Sequence, residues 1–176
     1  MVSLSTTGTD AGFNSIDVTI PAGQSSGTYF MYGLATSGSA TITATAPPFT
    51  GATGTETLTP SGIVIYGPMG VGFTTFNTPL ASGDQTLSVS TAQLDTGGNF
   101  VQTQALAGAA SLTVSLTNTD ATVGTVPATV VITRGSDTST VTFHPLKVGT
   151  TTAGVVHPGG YTMSSDGSAS LKITVQ

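Results

Sequence analysis

A chain of 176 residues is long enough for one large domain or two small ones, each with a real core. Only 6% of the residues are charged, against about a quarter in an ordinary protein. With three basic residues and a net charge of −5, the chain lacks the cationic surface that nucleic acid or an anionic membrane requires. Cysteine is absent, which excludes a disulfide framework and a thiolate metal site. Ser and Thr make up about a third of the chain. A positive mean hydropathy and regularly placed Val, Ile, Leu and Phe supply the apolar surface that disordered chains lack. The composition therefore describes a folded protein with a neutral, hydroxyl-rich surface, suited to export. No apolar run is long enough to span a bilayer as a helix. The N-terminus MVSLSTTGTD has neither the basic start nor the apolar core of a signal peptide, so an export signal is expected outside these residues.

In chain order, residues 2–5 (VSLS) alternate apolar and polar, the period of a half-buried strand, and a Gly, Thr and Asp cluster follows as a turn. Residues 16–20 (IDVTI) predict a second strand with Ile16, Val18 and Ile20 on one face, stopped by Pro21 and Gly23. The run TYFMYGL from Thr28 places Tyr29 and Met31 on one side and Phe30 and Tyr32 on the other, so one apolar face is available as an interface. Residues 39–46 (SATITATA) alternate again and end at Pro47 and Pro48. Residues 55–66 carry a last strand interrupted by Pro60 and Gly62.

Two Gly and a Pro at 67–70 (GPMG) mark the expected boundary, giving modules 1–66 and 67–176. Strands follow at 71–76, 86–90 and 100–106, then 111–117 with Leu112, Val114 and Leu116 inward, then 129–133, 139–144, a strand opening at Gly149, and 169–175. Short strands with turns between them, and no helical periodicity, predict an all-β fold of sandwich or barrel type.

The two halves repeat. Subtracting 112 lays Gly135 on Gly23, Thr140 on Thr28, Phe143 on Met31 and Leu146 on Leu34, and lays Val114, Ser115 and Leu116 on Val2, Ser3 and Leu4. The offset slips by one at Gly149 against Gly38 and returns at Tyr161 against Phe49. Residues 63–113 precede the point at which the first copy starts, so that copy lacks its own N-terminal strands. Three readings of the gap stand open: a fragment of a longer tandem array, strands supplied by a neighbouring subunit, or a smaller self-sufficient module. The second would leave a strand edge to be paired, and Val2, Ser3, Leu4 and Ser5 are the expected assembly edge.

The run VTIPAGQSSGTYFMYGLATSGSATITATAPPFTGATGTETLTPSGIVI resembles the C-terminal part of bacterial Ig-like domains found in tandem in large secreted and cell-surface proteins. Residues 84–176, with LTVSLTNTD and FHPL, resemble a neighbouring type. This resemblance implies two antiparallel Ig-like β-sandwich modules in tandem, the first incomplete at its N-terminus. It also implies an extracellular or cell-surface spacer of a fibre, adhesin stalk or matrix, self-associating or flanked by modules of its own kind. Some bacterial surface Ig-like domains carry a Lys to Asn isopeptide link; here Lys147 or Lys172 would be the amine, and neither has a counterpart in the first copy.

No catalytic role is expected. His144 and His157 are the only histidines, they align with Tyr32 and Ala46, and no GxSxG elbow is present. Neither a metal nor a cofactor is expected. Two histidines without cysteine make no zinc set, and Asp10, Asp17, Asp84, Asp95, Asp120, Asp137 and Asp166 stand singly, nearly all in turns. A loop cation at 95–99 or at Asp120 is the exception left open. The rival functions are a glycan-binding or adhesive module and an accessory domain of a secreted enzyme. Exposed aromatics would serve the first, with Phe30, Tyr32 and Tyr66 the leading contact residues and Tyr29, Phe49 and Tyr161 further ones.

Overall fold

The computed structural model describes residues 1–176, an all-β chain of fourteen strands with one 3-10 turn at Leu80–Ser82 and no helix long and apolar enough to cross a membrane. It divides into two compact units, Met1–Pro60 with Ala107–Ala109, and Ser61–Leu106 with Ala110–Gln176. The division falls at Pro60 and Ser61 rather than at GPMG. Gly67 and Gly70 close a turn, with the Gly70 N–H donating to the Gly67 carbonyl at 3.0 Å. That turn joins two strands of the second unit. Gly and Pro signal a turn equally well inside a domain and between domains.

The second unit is a closed sandwich. Strands β5 (Ser61–Tyr66), β7 (Gln85–Leu94), β8 (Phe100–Thr103), β10 (Gly124–Thr125) and β12 (Thr138–Pro145) form one sheet, in the order β10-β12-β7-β5 with β8 also on β7. Strands β6 (Thr75–Thr78), β9 (Leu112–Asn118), β11 (Thr129–Ile132), β13 (Gly149–Val156) and β14 (Ser170–Val175) form the other, in the order β11-β9-β13-β14-β6. The pairings are antiparallel except that β14 runs parallel to β6, a departure from the all-antiparallel expectation. Ile63, Leu87, Val89 and Phe143 from the first sheet meet Val114, Ile132, Leu171 and Ile173 from the second in one buried cluster. Each such side chain contributes about 1.5–3 kcal/mol by leaving water. Period-2 alternation does the sorting: along β12, Val141 and Phe143 point inward while Thr140, Thr142 and His144 point out.

Strand β5 is buried on both faces, because Val64 joins Ala92 and Leu94 in a second cluster under Tyr66 and Phe100. Its outer edge is also covered. The Thr162 N–H donates to the Ser61 carbonyl at 2.8 Å and the Ile65 N–H to the Ser168 carbonyl at 2.9 Å. That cover removes a free edge on which another chain could pair.

The first unit is two separate ribbons. Strand β1 (Val2–Ser5) pairs only with β2 (Phe30–Gly33), and β3 (Ser39–Ala44) only with β4 (Ala52–Thr57). Tyr32 and Leu58 are its only buried large apolar residues. The strand expected at 16–20 does not form; those residues carry no ladder, and Val18 and Ile20 are exposed. Their counterparts in the second copy, Val130 and Ile132, sit in β11 and are buried. Alternation makes a segment able to form a strand, and pairing with a neighbour and a covering layer make it one.

Candidate assembly surface

The surface that distinguishes the two copies is the edge and face of β1 and β2. In β1–β2 the Leu34 N–H donates to the Met1 carbonyl at 3.0 Å. Antiparallel pairs alternate between bonded and unbonded, so Tyr32 and Phe30 bond to β1 while the N–H and C=O groups of Met31 and Gly33 point away from it. On the far side of β1, Leu4 and Phe13 exchange two backbone hydrogen bonds of 2.8 and 2.7 Å. The chain returns there through a turn in which the Ser5 hydroxyl accepts from the Thr7 and Gly8 N–H groups and the Asp10 carboxylate from the Gly12 N–H.

The expected assembly edge at Val2, Ser3, Leu4 and Ser5 is therefore paired with β2 on one side and bridged by Phe13 at Leu4 on the other. Ser3 and Ser5 are buried, and the open edge belongs to β2 instead. Sequence could not foresee this, because β1 takes a partner that its counterpart does not have. In the second copy β9, the counterpart of β1, and β12, the counterpart of β2, lie in different sheets.

The aromatic contact residues scatter. Phe30 is half exposed and packs on the Gly8 turn, within 3.2 Å of where a Cβ would stand. Tyr32 is 7% exposed, its ring beside Gly12, which removes it as a contact residue. Its hydroxyl and that of Ser3 are buried without hydrogen-bond partners. Tyr66 lies in the second unit, half-buried against Val64, Ala92 and Leu94, with its hydroxyl 3.1 Å from that of Ser90. Tyr161 is half-buried against the central core, and burial holds its hydroxyl pKa above the usual value. Phe49, 78% exposed, closes the turn after β3. Tyr29 lines a concavity of about 230 Å³ with Ile42, Ala44, Ala52, Gly54 and Glu56 of the β3–β4 ribbon. Ligand pockets usually run from about 300 Å³ upward.

The titratable groups work locally. His144 pairs with Asp84 on the surface through Nδ1. The Nε2 of His157 lies 3.2 Å from the Ile63 carbonyl, and its Nδ1 is buried without a partner. Burial lowers the His157 pKa, and the Ile63 carbonyl opposes that only in part. The two loops left open for a cation spend their carboxylates on their own turns. Asp95 accepts from the Asn99 side chain and from the Asn99 and Gly97 N–H groups, and Asp120 from the Thr122 hydroxyl and N–H. These bonds, led by Asn99 and by Thr122, hold both carboxyls below the usual value. Burial pushes the Asp166 carboxyl up, but donors from Ser168 and Phe100 outweigh it. Lys147 and Lys172 are both exposed, and the amide of Asn118 is held by the Gly124 carbonyl and the Thr151 hydroxyl.

No family model matches the sequence, and no curated protein matches it. Among solved structures, domains 4 and 5 of the S-layer protein SbsC are similar at 14% identity, over 85% of this chain, with a TM-score of 0.40. The chain spans 62% of that structure's length. So loose a superposition carries no argument about assembly or location.

Proposed function

We propose that the chain is a non-catalytic structural module of an extracellular or cell-surface assembly, a fibre, stalk or matrix, built of two Ig-like sandwich modules of which the first is completed by strands from elsewhere. The observation that carries this reading is the contrast between the copies. Ile132 is 0% exposed and Ile20, at the same place in the repeat, 53%. In the sheet that covers the second copy, β5 and β7 have no counterpart within the first. Two-stranded ribbons are marginal alone, so the first unit gains most from a partner that lays a second sheet across it. The strand order of the second unit supports the Ig-like reading, because β5 and β6 divide one N-terminal segment between the two sheets and the last strand, β14, runs parallel to β6. A cysteine-free, sparsely charged, hydroxyl-rich surface suits the exported setting.

Negative-stain microscopy and sedimentation velocity across a wide concentration range test the reading. Fibres or ordered oligomers are expected once a neighbouring module is supplied, and without one a monomer whose amides at 27, 29 and 31 are unprotected. A chain that stays monomeric at high concentration, with every strand amide of the first unit protected from exchange, would refute it. One rival, a small glycan-binding site, would have to use the shallow concavity at Tyr29, with Glu56 as hydrogen-bonding partner. Saturable binding on a glycan array that Tyr29→Ala abolishes would establish that rival.

A further inference from the structure

The second copy shows what the open edge of β2 is for. Its counterpart β12 is eight residues long and β2 only four. The missing half is informative. Residues 138–143 pair with β7, in the register Ser139 with Val89, Val141 with Leu87 and Phe143 with Gln85. A bond from the Thr91 N–H to the Asp137 carbonyl fixes the alternation, so 139, 141 and 143 are the residues that bond to β7. Subtracting 112 gives Gly27, Tyr29 and Met31. Met31 is one of the two β2 residues whose backbone groups face away from β1, whereas 27 and 29 lie outside any strand. Strand β2 stops where a β7 equivalent would have to hold it.

The other edge agrees. The residues that face β10 are His144 of β12, paired with Thr125, and Leu146 just beyond it, which donates to the Val123 carbonyl at 2.9 Å. Their counterparts Tyr32 and Leu34 face β1, and Phe13, the counterpart of Thr125, has moved to the far side of β1. Strand β1 is thus inserted on the β10 side and leaves the β7 side vacant.

We infer that the outer edge of β2, extended through residues 27–33, is a strand-acceptor site, and that its occupant is an uncharged antiparallel strand with β7's alternation, Gln-Thr-Leu-Ser-Val-Ser, supplied by a neighbouring module. The inference rests on the structural role proposed above. A second copy of this chain does not fit, because its own β7 is the middle strand of a closed sheet, bonded to both β5 and β12. Charge acts the same way. Met1–Pro60 holds Asp10, Asp17 and Glu56 and no basic residue, so two first units repel each other while a neutral strand is not opposed. Adding a strand would supply backbone bonds to Gly27, Tyr29 and Met31 and pockets for alternate side chains.

The test titrates a ten-residue peptide with the sequence of Gln85–Leu94 into the full chain, followed by amide resonances and calorimetry. Saturable binding is expected, with new exchange protection at 27, 29 and 31. Methylating the peptide nitrogens of Leu87 and Val89, which face β2, should weaken binding by about 10-fold or more, and methylating that of Ser88, which faces away, should weaken it far less. No binding, or binding indifferent to the methyl position, overturns the site. Protection of Met31 and Gly33 in the free chain that is lost on dilution overturns the occupant, since the edge then pairs with a second copy. Fibres formed by a chain that ignores the peptide would leave the structural role standing and overturn the site alone, and peptide binding without ordered assembly when neighbouring modules are supplied would count against that role alone.

Discussion

Ile132→Ala and Ile20→Ala make one substitution at one position of the repeat, in two environments. Ile132 lies in β11 with no exposed surface, inside the central cluster, and Ile20 is 53% exposed outside any strand. The change removes three carbon atoms. At about 0.8 kcal/mol for each buried methylene the transfer cost is about 2.4 kcal/mol at Ile132, and the cavity left in the central cluster raises the total to about 3–4 kcal/mol. At Ile20 more than half of the side chain is already in water, so the loss should stay below about 1 kcal/mol. Urea unfolding followed through methyl resonances of each unit separately is the suitable assay, because the two units need not unfold together. Equal costs, or a larger cost at Ile20, would show that the first unit has a core of its own and would refute the open-unit reasoning.

Gly124→Ala should cost about 1–3 kcal/mol in the same assay, since a Cβ would stand 2.6 Å from Phe143 Cε2 and 2.9 Å from the His144 carbonyl oxygen, and the buried ring has nowhere to go. Tyr66→Phe should cost about 0.5–1.5 kcal/mol by removing the bond to the Ser90 hydroxyl, with Ser90 keeping its bond to Thr138. For His157 the folded pKa lies below the unfolded value of about 6.5, so the unfolded state takes up the proton first. Stability of the second unit should therefore fall as pH drops below about 6.5, and His157→Gln should flatten that slope. The carboxylates of Asp95, Asp120 and Asp166 are held below the ordinary 3.8 and act in a separate, more acidic window, which the His157 variant should leave unchanged.

The sequence makes the strands of the second unit plain because each has a buried face to advertise: Leu171, Ile173 and Val175 alternate with Lys172 and Thr174 in β14, and Val141 and Phe143 with Thr140 and Thr142 in β12. It misplaced β5, since a strand buried on both faces shows no alternation and the nearest strong punctuation, GPMG, lies beyond its end rather than before it. It also read 16–20 as a strand and Val2–Ser5 as the free edge. Both errors have one cause. Alternation is a property of the segment, whereas pairing is a property of its neighbours, and in the first copy those neighbours differ. The aromatics failed for a related reason: Tyr32 and Tyr66 carry the same side chain as Tyr29, and only the packing separates a buried ring from an accessible one.

The inserted β1 bears on how the first unit could close. Were β1 bonded along the β7-facing edge of β2, an incoming strand would first have to strip it off, losing the β1–β2 ladder before forming its own. The ladder instead uses Phe30, Tyr32 and Leu34, and the vacant edge uses Met31 and Gly33, so the two sets of backbone groups do not compete. A strand can add while β1 stays in place and the Leu4–Phe13 bridge stays closed. Closure then requires that residues 27–29 leave their irregular conformation, in which Gly27 lies against Val18 and Ile20, at about 1–2 kcal/mol of backbone entropy for each residue fixed. New hydrogen bonds and the burial of an alternating apolar face offset that cost. Amide exchange at Ser3, Ser5 and Tyr32 should accordingly be unchanged when the Gln85–Leu94 peptide binds, while 27, 29 and 31 slow. Faster exchange at Ser3 and Ser5 on binding would show that β1 is displaced, and that the incoming strand enters on the β10 side.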